Sequence, residues 1–82
     1  VQRAVRFPAG VIDARIDVQH GRIAAVRLFG DYMGRLDVRE LEARLAGVPY
    51  ERAALAAALA AVDVRDYFGD VEPAQLLDLL CP

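Results

Sequence analysis

Between Val11 and Gln19 every second position is apolar: Ile12, Ala14, Ile16 and Val18 alternate with Asp13, Arg15, Asp17 and Gln19. A period of two predicts a strand with one buried and one wet face. His20-Gly21 interrupts the pattern with a pair that supplies the positive backbone angles of a tight hairpin, and Arg22 to Phe29 runs back as the partner strand. Upstream, Val5 and Phe7 predict a shorter strand ending in the turn Pro8-Ala9-Gly10. The sum is a three-stranded antiparallel meander. Simple alternation makes the third strand apolar on both sides, with Ile23, Ala25 and Phe29 on one and Ala24, Val26 and Leu28 on the other. Both sides then need cover: helices for the first, a neighbouring domain or flanking loops for the second.

From Asp37 the period becomes helical. Val38, Leu41 and Leu45 fall at i, i+3 and i+7, behind Asp37 and Glu40 spaced as a capping box, and Gly47 ends the helix. Pro49 is expected in the first turn of a second helix, whose apolar stripe is Leu55, Ala58, Leu59 and Val62. A third helix opens at Glu72-Pro73 and is expected to bury Leu76, Leu77 and Leu80, while Val64 to Gly69 reads either as one turn or as a short extended link. Strands first and helices afterwards predict an α+β fold, one meander packed against three C-terminal helices. No linker or low-complexity run divides residues 1–82, so a single domain is expected. The chain begins at Val1 rather than Met, which suggests a fragment of a longer polypeptide.

Composition removes whole classes of chemistry. The chain has no Lys, Ser, Thr, Asn or Trp. Hydroxyl nucleophiles of the triad kind, Schiff-base lysines and phosphate-binding lysines are therefore excluded, and no catalytic residue is assigned. All ten basic residues are Arg, interleaved with twelve Asp and Glu to a net charge of -2, as on an ordinary solvated surface. The alanine-rich stretch from Ala53 to Ala61 allows close backbone approach to another protein, although genome bias and helix propensity account for it equally well. One Cys, Cys81, and one His, His20, form neither an internal disulfide nor a zinc site, so no metal is expected and a reducing, cytoplasmic setting fits. No apolar run reaches the roughly 20 residues of a membrane span. The helix-Gly-helix stretch from Leu41 to Leu59 lacks the polar side chains that reach base edges, which speaks against a nucleic-acid reader.

The tripeptide Phe29-Gly30-Asp31 returns as Phe68-Gly69-Asp70. The residues after the two copies, YMGRLDVREL and VEPAQLLDLL, share nothing beyond leading into a helix, so the copies are not a repeat. Gly accepts backbone angles other residues resist and Asp bonds the next stretch of backbone, so a chain-turning role accounts for both. An acid-base pair of Asp31 and Asp70 would require them to meet, which spacing does not show. His20 reads as a solvent-facing turn residue and Cys81 as a terminal thiol.

The hairpin GVIDARIDVQHGRIAAVRLFGDYMG, then LEARLAGVPY, then YFGD before a leucine-rich last helix resembles the C-terminal accessory domain of lipoate-protein ligases, from about Arg6 to Leu80. Met33 stands where another aromatic is common. The resemblance implies a helper: a larger catalytic domain or subunit binds lipoate and ATP and makes lipoyl-AMP, while the small domain, fused or free-standing, acts as a lid for that activation step. No cofactor is assigned to this chain. Its docking surface is expected near Phe29, Gly30, Asp31 and Tyr32, where the strand ends and a polar turn begins. The family fold is also similar to that of sulfur-relay and iron-sulfur scaffold proteins, which need a cysteine in a mobile loop. That role and a protein-interaction adaptor are the competing expectations.

Overall fold

In the computed structural model, which describes residues 1–8, 10–30 and 34–82, the hairpin turns where the sequence says it should. His20 and Gly21 have φ of 54° and 75°, the double positive pair that matches the twist of adjoining strands. The turn joins β2 (Gly10–Gln19) to β3 (Arg22–Gly30), and β1 (Gln2–Phe7) pairs antiparallel with the other side of β2, giving the order β1-β2-β3. Ala9, in the first predicted turn, lies outside the described residues.

One irregularity decides which face of the sheet is apolar. Asp17 pairs with Ala25 and Val18 with Ile23, so Ala24 is an extra residue with no partner on β2. Such a bulge shifts side-chain phase by one residue. Ile23, Val26 and Leu28 consequently all point into the core, while Ala24, Ala25, Arg27 and Phe29 are exposed. The expectation of a strand apolar on both faces is thereby corrected, because strict alternation does not run through the bulge. The outer face, carrying Asp13, Arg15, Asp17, Arg27 and Phe29, is wet enough to need no cover.

Four helices rather than three follow the sheet, α1 (Val38–Leu45), α2 (Arg52–Ala60), α3 (Val64–Phe68) and α4 (Pro73–Leu80); α1 and α4 lie against it, α2 packs on both of these and α3 on α1. Together sheet and helices enclose one core, in which Ile12, Leu41, Leu45, Leu55, Phe68 and Leu76 are essentially inaccessible. The stretch left open between a turn and a link is the short α3. Asp63 accepts the Arg65 N–H at 3.0 Å to start it, and Gly69, at φ 75°, ends it.

Three local expectations change. Asp37 does cap α1, but its carboxylate takes the N–H of Arg39 at 2.9 Å, and the guanidinium of Arg39 rather than Glu40 returns to it, at 2.8 Å. The reciprocal arrangement appears instead on α4, where Gln75 Oε1 accepts the Glu72 N–H at 2.8 Å. Pro49 is not in a helical first turn. Residues 47–50 run beside the start of β3, with the Ile23 N–H donating to Val48 O at 2.9 Å and the Tyr50 N–H to Gly21 O at 2.8 Å, so α2 begins only at Arg52. Finally, α4 buries Leu76, Leu79 and Leu80, whereas Leu77 is half-buried beside α2.

Candidate partner interface at the end of β3

Four residues were singled out by sequence, and the structure describes two of them. Asp31 and Tyr32 lie outside the described residues, and with Asp31 goes any test of a pair with Asp70. Phe29 and Gly30 close β3 and differ in what they offer.

Phe29 is on the outer face, 49% exposed, opposite Asp13 on β2. The Arg15 guanidinium sits 5.1 Å from the centroid of its ring and reaches Asp13 Oδ2 at 3.3 Å. Ring, cation and carboxylate are therefore pre-arranged, since the attraction of a guanidinium for an aromatic face and for a carboxylate act together. The other Asp13 oxygen, Oδ1, is buried and has no partner among the described residues. Arg27 lies directly across from Arg15, a like-charge pairing that is unfavourable within a sheet.

Gly30 is defined by what it lies against. A Cβ built there would fall 1.9 Å from the backbone oxygen of Val11, so only glycine fits. Gly34 resumes the described chain under the same restriction, with its Cβ position 1.8 Å from the backbone oxygen of Tyr67 on α3. The next residues stay on that helix: Leu36 N–H donates to Asp66 O at 2.8 Å and Arg35 pairs with the Asp66 carboxylate at 3.1 Å. Just before Phe29, the Leu28 N–H donates to Glu42 Oε2 on α1 at 2.7 Å.

The two Phe-Gly-Asp copies thus have different duties. Phe68 is fully buried and Tyr67 nearly so, and Gly69 serves as the helix stop, whereas Phe29 faces outward. A side chain of this size contributes roughly 1.5–3 kcal/mol when fully buried, a gain that Phe68 collects and Phe29 largely forgoes. Sequence reading missed Glu42, Arg15 and Gly34. A second glycine four positions after Gly30 was the available signal for Gly34, while nothing in the spacing of α1 singles out Glu42.

The remaining chemistry-bearing residues lie elsewhere. His20 is exposed at the hairpin tip, and Cys81 is half-buried at the C-cap of α4, its carbonyl held by Arg52 at 2.9 Å. Among the described residues no group of three His, Cys, Asp or Glu could hold a metal ion, and no helix is long and apolar enough to cross a membrane. Two shallow grooves, of about 190 Å³ between β1 and α4 and about 250 Å³ between α2 and α4, are each smaller than the roughly 300–1,000 Å³ usual for small-molecule sites. Among its described residues the end of β3 presents the Phe29 ring, the Arg15 guanidinium and the Asp13 carboxylate.

The sequence profile described as the C-terminus of bacterial lipoate protein ligase matches residues 1–80. This chain belongs to that family. Lipoate-protein ligase LplJ of Bacillus subtilis is 40% identical over 75 residues, which is 92% of this chain and 23% of that protein. A lipoate-protein ligase of Streptococcus pyogenes is 39% identical over 75 residues, covering 92% and 22%, and lipoate-protein ligase 1 of Staphylococcus aureus is 33% identical over 79 residues, covering 96% and 24%. The chain therefore spans about a quarter of the length of the curated relatives it matches.

Proposed function

We propose that the chain is the non-catalytic accessory domain of a lipoate-protein ligase, required when a separate catalytic domain or subunit joins lipoate to ATP as lipoyl-AMP and releases pyrophosphate. The observation that carries this reading is the match of nearly the whole chain to the C-terminal family alone, in relatives some four times longer. The residue inventory is compatible with it: a chain without Lys is neither a lipoyl acceptor nor the holder of a catalytic lysine. Its contribution is physical, covering the nucleotide, excluding water and holding the reactants in one geometry. The docking surface in this reading is the end of β3, with Phe29 and Gly30 and the adjoining Asp31 and Tyr32. Lipoate and ATP belong to the catalytic partner, and a cytoplasmic setting goes with ATP as co-substrate.

Pyrophosphate release by the catalytic part supplied with ATP and lipoate, measured with and without this chain, tests the proposal. Transfer of the lipoyl group from preformed lipoyl-AMP is measured in parallel. Release is expected to require the chain and transfer to proceed without it. A catalytic part that forms lipoyl-AMP equally well alone would overturn the reading, and an adaptor role would leave both assays unmoved.

A further inference from the structure

The structure assigns the free edge of β1, with the groove between it and α4, as the seat of an added strand: an extended, acidic segment of the catalytic partner that pairs with the backbone of Gln2, Ala4 and Arg6. The identity of the partner rests on the accessory reading above. The mode of contact, and its place at the opposite edge of the sheet from β3, go beyond it.

The two edges of the sheet are treated differently. On β3 the chain closes its own edge. Residues 47–50 run beside its start, where the Ile23 N–H donates to Val48 O at 2.9 Å and the Gly47 N–H to Ile23 O at 2.7 Å, and Glu42 takes the N–H of Leu28. On β1, Val1 and Ile16 exchange both backbone bonds, at 2.8 and 2.7 Å. The register then runs unbroken from Gln2 opposite Arg15 to Phe7 opposite Gly10. Bonded positions alternate in an antiparallel pair, so Arg3, Val5 and Phe7 give their backbone groups to β2, while Gln2, Ala4 and Arg6 turn theirs to the open side. Among the described residues nothing bonds to them there.

Such an edge is a template for one more strand. The side chains of Arg3, Val5 and Phe7 face the helix layer, where with Gln75, Asp78 and Leu79 of α4 they line the groove of about 190 Å³. That groove is placed to take the inward side chains of a strand laid along β1. Charge chooses the occupant. β1 carries Arg3 and Arg6 and no acidic residue, and neither guanidinium has a carboxylate partner among the described residues. Antiparallel pairing with a second copy, centred on Ala4, would gather the arginines of both copies on one seam with no carboxylate on either strand. The two arginines therefore guard the edge against self-pairing and favour a strand with carboxylates opposite them. Ala4 lies opposite Asp13, and Asp13 opposite Phe29, so the edge is level with the end of β3 and two strand spacings, about 10 Å, from it. One partner can reach both.

Amide hydrogen exchange tests the pairing directly, in the full ligase or in the chain saturated with its catalytic partner where the two are separate polypeptides. The Ala4 and Arg6 amides are expected to exchange within about tenfold of those of Arg3 and Val5, which β2 protects. Faster exchange, as on an open edge, in a ligase that needs this domain overturns this inference alone. Ala4→Pro removes an outward N–H and no bond to β2. It should melt close to wild type, yet lower affinity for the catalytic part, or pyrophosphate release in a fused ligase, about tenfold or more. Arg6→Glu should lower the same quantity about tenfold at low salt and less at high salt. Wild-type behaviour of folded Ala4→Pro overturns the strand, and of folded Arg6→Glu its acidic character. Dimerisation read by sedimentation and abolished by Ala4→Pro would give the edge to a second copy and overturn the inference as well. A catalytic part that forms lipoyl-AMP unaided removes the accessory reading, and this inference with it.

Discussion

Glu42, on α1, accepts the backbone N–H of Leu28, on β3, at 2.7 Å. Leu28 is buried on the outermost strand, and β2 occupies only one side of that strand. A carboxylate from the neighbouring helix supplies the acceptor on the other side and blocks the edge against pairing with another chain.

Replacing Glu42 with Ala removes that acceptor. The expected loss is about 1–3 kcal/mol of unfolding free energy, read by urea denaturation. Glu42→Gln keeps an acceptor and should lose less than half as much. Equal stability of wild type and Glu42→Ala would mean that water serves Leu28 as well as the carboxylate does.

The duplicated phenylalanines give opposite expectations. Phe68→Ala empties a fully buried position and should cost about 3–5 kcal/mol, enough to unfold much of a domain this small. Phe29→Ala removes a half-exposed ring stacked by Arg15 and should cost about 1 kcal/mol or less. Its effect belongs in association: in the accessory reading, affinity for the catalytic part falls roughly tenfold or more, as for a truncated aromatic anchor. Melting curves and a binding titration on the two variants distinguish them.

Much of this was legible in the chain, and the failures have physical causes. Alternation in β2, the His20-Gly21 turn and the leucine spacings of α1 and α4 are local signals, and each produced its element. Ala24 misled because a bulge is settled by both strands together and leaves no mark on a run of small apolar residues. Pro49 misled because residues 47–50 are recruited as an edge partner of β3, a long-range preference that overrides a helix-start signal. The α3 turn is too short for periodicity to decide. That Phe29 and Gly30 end a strand could be read from the chain, but the hold of Glu42 and the close passage of Gly34 by Tyr67 arise only once distant segments meet.

Alkaline pH should probe the closure between α2 and α4. The Tyr50 hydroxyl donates to Leu80 O at 2.7 Å, and burial, followed by the nearby Cys81, raises its pKa above the ordinary 10.0. The unfolded chain therefore releases this proton first. The stabilisation is complete below the ordinary tyrosine value and is lost as pH rises through the higher folded-state value. Tyr50→Phe should cost about 0.5–1.5 kcal/mol at neutral pH, and the gap to wild type should narrow in denaturation series taken above the ordinary tyrosine pKa.

Acid should probe the start of α1 with the opposite sign. The side-chain bond from Arg39, with its backbone N–H in support, lowers the Asp37 pKa below 3.8. A depressed carboxylate contributes stability above its unfolded-state value and loses it as pH falls through the folded-state value. Asp37→Asn keeps a capping oxygen but not the charge. Wild type should exceed it modestly at neutral pH and match it in strong acid, by thermal melts across the acid range.

The unpaired alanine of β3 separates the two ends of the hairpin. Residues on the tip side of Ala24 keep their own odd-even count, so the tip can be rebuilt without rotating the far end that displays Phe29. Excising Ala24 would make Ile23 and Ala25 neighbours and restore strict alternation, leaving Ile23, Val26 and Leu28 inward and Phe29 outward. The alanine is thus a spare stitch rather than a structural one, and a hairpin shortened by that one residue is expected to keep the same side chains in the core.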